Sequence, residues 1–138
     1  MKITARVQNR QGQHQVSVST NENIHTLTIP PKSTGVGSSI NGGELLFLAL
    51  ATCYCNDIYR EAAKRNIRVE SVEVEVDGDF GSEGEPATNV RYHAKIAAHA
   101  SKQDIRILAS ETDRVAEIQN TLRLATPVTL DEIEPISI

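Results

Sequence analysis

Hydrophobic and polar residues alternate in twos through the first thirty positions. "KITARV", "HQVSVST" and "IHTLTI" carry this alternation, and the polar stretches "QNRQGQ" and "NEN" interrupt it. The spacing predicts a three-stranded antiparallel meander over residues 2–29, with Val16 and Val18 on one face. Residues 30–43, "PPKSTGVGSSINGG", are loop chemistry, either a lid or a plain connection. A phosphate-cradling loop would close its glycine run on Lys-Ser or Lys-Thr, and here Glu44 follows instead.

From residue 42 to 65 the period becomes helical. Asn41 can cap this helix, and Glu44 stands at the capping-box position three residues on. Leu45 to Ala51 is apolar on every side, whereas "DIYREAAKR" (57–65) is amphipathic. An all-round apolar segment must be covered all round, more than one small sheet provides, so a second subunit is expected against it. Alternation in twos then returns. Val72, Val74 and Val76 oppose Glu73, Glu75 and Asp77; Tyr92, Ala94 and Ile96 oppose Arg91, His93 and Lys95. Paired as a hairpin, these strands would set an acidic outer row against a basic one. Ser101, with Asp104 as capping partner, opens a second helix that carries Ile105, Leu108, Thr112, Val115, Ala116 and Leu122 at helical spacing. "TPVTLDEIEP" reads as a closing strand and tail. The expected order is βββ-α-ββ-α-β, an α+β fold in a single domain over residues 1–138.

The net charge of −4, with no basic cluster beyond "KRNIR", argues against nucleic acid as a partner. The nearly apolar run from Leu45 to Cys55 is shorter than the ~20 residues a bilayer span needs, so no membrane is expected. "MKITARVQNR" has no apolar h-region of a secretory signal. Both cysteines lie in "LALATCYCNDIY", as Cys53 and Cys55. On a helix they project about 200° apart and cannot bond within one chain. A reduced, cytoplasmic thiol protein is the simpler expectation. Neither that pair nor the four scattered histidines (His14, His25, His93, His99) converges on an ion, so no metal and no cofactor are expected.

A buried cysteine is often only a small apolar filler, and Cys53 lies too deep in its helix for the positive helix end to lower its pKa. A working thiolate there needs a cation from elsewhere. Glu44, nine residues earlier, lies about 14 Å away along the axis and half a turn around. Arg10 stands in the first hairpin turn.

"NGGELLFLALATCYC" resembles the OsmC/Ohr family of osmotically induced and organic hydroperoxide resistance proteins, in which a thiol follows an Asn by the Asn41–Cys53 interval. The element order is similar too. The resemblance implies an intertwined homodimer with its long central helices buried together. It also implies peroxidatic chemistry at Cys53 on a small hydrophobic peroxide. Arg10, in an Arg-x-Gly turn, would stabilise the thiolate, and Glu44 would orient that Arg. The chain departs from the peroxidases at two places. Gly43 stands where the hydroperoxide-resistance branch has its acidic residue, and Ala116 and Glu117 stand where a resolving cysteine would be. A sulfenic acid at Cys53 would therefore require an external thiol reductant or Cys55. The alternative function is a non-catalytic dimeric protein whose cleft holds a small apolar ligand, with Cys53 lining it.

Overall fold

The computed structural model describes all residues, Met1 to Ile138. They gather into two compact units, Met1–Leu46 and Phe47–Ile138.

In the first unit, β1 (Ile3–Arg10), β2 (Gln13–Thr20) and β3 (Asn23–Leu27) form the expected antiparallel meander in the order β1-β2-β3. Arg10 pairs with Gln13 and Thr20 with Asn23, so each connection is a two-residue turn. Gly12, with φ at 74°, adopts the left-handed conformation that the first turn needs and that side-chain-bearing residues resist. Val16 is the only buried strand residue of this sheet. The following loop is no free lid. Lys32 and Gly37 close on each other at 3.0 Å, and the Gly37 amide donates to the Asn9 side chain of β1 at 3.0 Å. It is a pinned connection.

Helix α1 (Gly42–Lys64) starts on the capping box that its sequence encodes. The Asn41 amide donates to Glu44 Oε2 at 2.7 Å, and the Glu44 amide donates back to Asn41 Oδ1 at 2.9 Å. It ends on Asn66, whose φ of 56° lets the Ile67 amide reach the Ala62 carbonyl at 3.0 Å. This left-handed cap satisfies carbonyls that the last helical turn leaves free.

The second unit is built around one face of α1. Strands β4 (Val69–Asp79) and β5 (Thr88–Ala98) pair antiparallel. Val72, Val74, Tyr92, Ala94 and Ile96 turn inward onto Tyr54, Ile58, Ala62, Leu108 and Ala116. On the outer face Glu73 faces Lys95, Glu75 faces His93, and Asp77 faces Arg91, as the alternation predicted. The Tyr54 and Tyr92 rings meet edge-on with centroids 4.8 Å apart. Each hydroxyl has a partner: Tyr54 donates to the Ala109 carbonyl at 2.8 Å and Tyr92 to Asp113.

Three sequence-based expectations need correction. The second helix breaks into α2 (Lys102–Val115) and α3 (Glu117–Arg123) at Ala116, which is fully buried with extended backbone. Side chains of α3 cover carbonyls that the break frees: Asn120 donates to the Arg114 carbonyl and Arg123 to the Asp113 carbonyl, each at 3.0 Å. Val115 and Leu122 consequently leave the apolar face and are exposed, while Leu108, Thr112 and Ala116 stay buried. The stretch "TPVTLDEIEP" forms no strand, and its residues are open to solvent. Alternation alone does not make a strand. A free sheet edge must accept its hydrogen bonds.

The apolar first half of α1 is only partly covered within the chain. Leu50 is buried, but Leu48 is 60% exposed.

Candidate functional site

Cys53 and Cys55 point to different surroundings, as their helical spacing requires. The half-buried Cys53 thiol donates to Asp57 Oδ2 at 3.4 Å, one helical turn on, and lies 3.9 Å from Glu117 Oε2 at the start of α3. Arg60, one turn further along α1, brings a single nitrogen, Nη1, to the opposite oxygen of each carboxylate. It lies 2.8 Å from Asp57 Oδ1 and 3.1 Å from Glu117 Oε1. Its Nε meets Glu61 at 2.9 Å, and Lys64 meets the same carboxylate at 2.8 Å. One guanidinium thus fixes two carboxylates by their outer oxygens and leaves their inner oxygens facing the sulfur.

The break at Ala116 puts Glu117 in this position. Gln119, also on α3 and only 3% exposed, donates to the Leu50 carbonyl at 3.0 Å and so holds α3 against α1 one turn before Cys53. Its Oε1 is buried without a partner.

Electrostatics follow from these neighbours. Burial pushes the Cys53 thiol above its ordinary value; the Asp57 and Glu117 carboxylates push the same way, and a backbone N–H at Ile118 pulls against them. Asp57, 5% exposed, is also raised, first by burial and then by Glu117, with the thiol hydrogen bond and Arg60 opposing. Glu117 is lowered, chiefly by its own backbone amide, with Arg60 and Asp57 adding to the effect. Of the two carboxylates, the buried Asp57 is thus the one that takes up a proton more readily. The sulfur and one oxygen from each carboxylate lie within 4.8 Å of one another, a spacing that fits a metal's ligands. Arg60 already holds the outer oxygen of each carboxylate and offsets one of their two charges.

Cys55 lines a shallow open hollow of about 250 Å³ with Ala51, Thr52, Asn56 and Val74. It has no charged neighbour among these lining residues.

Of the residues singled out by sequence, only Cys53 stands in this cluster. Arg10 closes β1, and Glu44 is engaged in its capping box; both belong to the Met1–Leu46 unit. Sequence reading missed Asp57, Arg60 and Glu117. The helical spacings from Cys53 to Asp57 and from Asp57 to Arg60 were available signals, although "DIYREAAKR" reads equally well as a solvated face. No spacing rule could have brought Glu117 to position 53.

A family model described as OsmC-like protein matches residues 35–131. The chain belongs to the OsmC-like family. The resemblance seen at residues 41–55 thus extends over most of the molecule, and solved structures share its α+β fold. An OsmC-like protein from Mycoplasma pneumoniae is 18% identical with a TM-score of 0.61, and 87% of each chain is covered. An organic hydroperoxide resistance protein OsmC from Legionella pneumophila is 18% identical with a TM-score of 0.60, covering 89% of this chain and 90% of that one. A putative organic hydroperoxide resistance protein from Vibrio cholerae, with captopril bound in one of its active sites, is 21% identical with a TM-score of 0.53. That match covers 89% of this OsmC-like chain and 85% of the other. At such identities the structures establish the fold alone. No curated protein sequence matches significantly. No helix of this OsmC-like protein is long and apolar enough to cross a membrane.

Proposed function

We propose that this OsmC-like protein reduces organic hydroperoxides in the oxidative stress response, with Cys53 as the attacking thiol and without an intramolecular resolving cysteine. Residues 1–138 act as one domain in a cytoplasmic homodimer, and an external thiol reduces the Cys53 sulfenic acid. Family membership and three structural neighbours bearing OsmC or hydroperoxide-resistance names support this reading. The observation that carries it is the half-buried sulfur flanked by groups able to exchange its proton, Asp57 and Glu117. Arg10 is the proposed thiolate-stabilising cation, and Glu44 orients it from the dimer interface. With both carboxylates ionised, Asp57, Glu117 and Arg60 leave one net negative charge beside the thiol, which an added guanidinium would offset. The homodimer is supported by the open apolar residues of α1 and the first sheet, Leu48, Ile3 and Val7 among them. Cys55 lies on another side of α1 from Cys53.

The pH dependence of Cys53 alkylation, followed by mass spectrometry, tests the assignment. Reaction well below pH 7, lost in Arg10→Ala, is the expected result. A thiol silent up to about pH 9 would refute a peroxidatic role, since peroxide attack requires the thiolate. A second reading is favoured by one observation: carboxylates and burial raise the thiol's pKa within the chain. In that reading the dimer is a non-catalytic carrier of a small apolar ligand with Cys53 in its cleft. Turnover of cumene hydroperoxide with monothiol and dithiol reductants separates the two.

A further inference from the structure

The four-group arrangement at Cys53 has a feature that ion pairing alone does not require. Arg60 Nη1 touches only the outer oxygens, Asp57 Oδ1 and Glu117 Oε1, while the thiol meets only the inner ones, Asp57 Oδ2 and Glu117 Oε2. Each carboxylate is held by one oxygen and presents the other to the sulfur. Asp57 is almost wholly buried and makes the shorter contact, whereas Glu117 is largely open on the solvent side.

We propose that Asp57 is the acid–base partner of Cys53, and that Arg60 is a positioning residue aiming Asp57 and Glu117 at the sulfur. This rests on the hydroperoxide reading of the same site. As Cys53 attacks, the S–H proton passes to Asp57 Oδ2, a sulfur–oxygen bond forms, and the peroxide O–O bond breaks. Sulfur is oxidised by two electrons to the sulfenic acid, the peroxide is reduced, and Asp57 returns the proton to the leaving alkoxide as the alcohol. Thiol plus hydroperoxide thus gives sulfenic acid plus alcohol with no proton gained or lost. The raised pKa of Asp57 suits both halves of this exchange, since the group accepts a proton near neutrality more readily than an exposed carboxylate. The charged and titratable groups facing the sulfur are Asp57 from its own helix and Glu117 from α3, with Arg60 behind them.

The test compares two rates on the purified full-length protein: alkylation by iodoacetamide, which reads only the thiolate, and single-turnover oxidation by cumene hydroperoxide. Asp57→Asn is expected to move the alkylation midpoint to lower pH, because an anion beside the sulfur is gone. Peroxide oxidation, normalised to alkylation, should fall by about a hundredfold, the usual size of a lost acid–base group. Arg60→Gln should move the midpoint the opposite way, since two carboxylates lose their countercharge, and should lower the same normalised rate. A merely structural Arg60 would not shift the midpoint in that direction. Glu117→Gln, at an open position, should lower the midpoint without unfolding, and it serves if Asp57→Asn proves unstable. An unchanged normalised rate in Asp57→Asn, or an unmoved midpoint in both Arg60→Gln and Glu117→Gln, overturns the proposal. A wild-type protein whose Cys53 alkylates normally but resists the peroxide overturns the hydroperoxide reading instead.

Discussion

Cys53 and Cys55 stand two residues apart on one helix, and their surroundings share almost nothing. Cys53 meets two carboxylates and, behind them, a guanidinium; Cys55 edges an open hollow lined by Ala51, Thr52, Asn56 and Val74. The difference is a rotation of about 200° set by the helix itself, and the core decides which way each side faces. Tyr54 and Ile58 are buried against Leu108 and the β4–β5 sheet, so α1 cannot turn without exposing them. The surroundings of each thiol are decided by core packing more than by the cysteine itself.

The strongest way to break the comparison is to remove one sulfur at a time. Cys53→Ser is expected to abolish peroxide consumption, and Cys55→Ser to retain it, in a coupled thiol-oxidation assay. Equal loss in both would mean that Cys55 takes part. Next in size is the anchor of the rotation. Ile58→Ala removes a fully buried side chain and should cost about 2–5 kcal/mol in urea unfolding. The contrast in native-state alkylation between the thiols should narrow as well, because the helix is less firmly held.

The effect of pH should be smaller and opposite in sign at two carboxyls. Burial opposes Asp113, but the Tyr92 hydroxyl and Arg123 outweigh it and hold its pKa below the ordinary range. The resulting stability is present above the unfolded value near ~3.9 and is lost as pH falls through the folded value. Asp57 is raised, so its folded form binds the proton first, and its effect on stability diminishes as pH falls. Asp113→Asn should therefore flatten the acid limb of a stability-against-pH curve, and Asp57→Asn should steepen it. Identical acid limbs in the two variants would mean that the two clusters do not differ as described. The smallest change is expected on the outer sheet face, at the Arg91–Asp77 ion pair of 3.1 Å. Both partners are exposed, and Arg91→Ala should alter the unfolding free energy measured in urea by less than about 1 kcal/mol.

Local rules made much of this molecule legible. Alternation placed five strands, paired the acidic and basic rows of β4 and β5, and put Val72, Val74, Tyr92, Ala94 and Ile96 inside. Asn41–Glu44 and Ser101–Asp104 marked two helix starts, because a cap is a contact between residues three apart. The interval from Asn41 to Cys53 carried the family resemblance. All of these are short-range facts, and short-range facts survive in one dimension.

The tertiary structure decided the rest. The break at Ala116 depends on carbonyls being taken up by Asn120 and Arg123, and on burial of a methyl group against α1. That break carries Glu117 across 64 positions to the sulfur of Cys53, a distance no periodicity spans. The "TPVTLDEIEP" segment reads as a closing strand without becoming one, because a strand is completed by its neighbour rather than by its own residues. The sequence alone determined which residues could form helices, strands and caps. Folding decided which charges stand beside a thiol, because electrostatic neighbours are chosen by proximity in space.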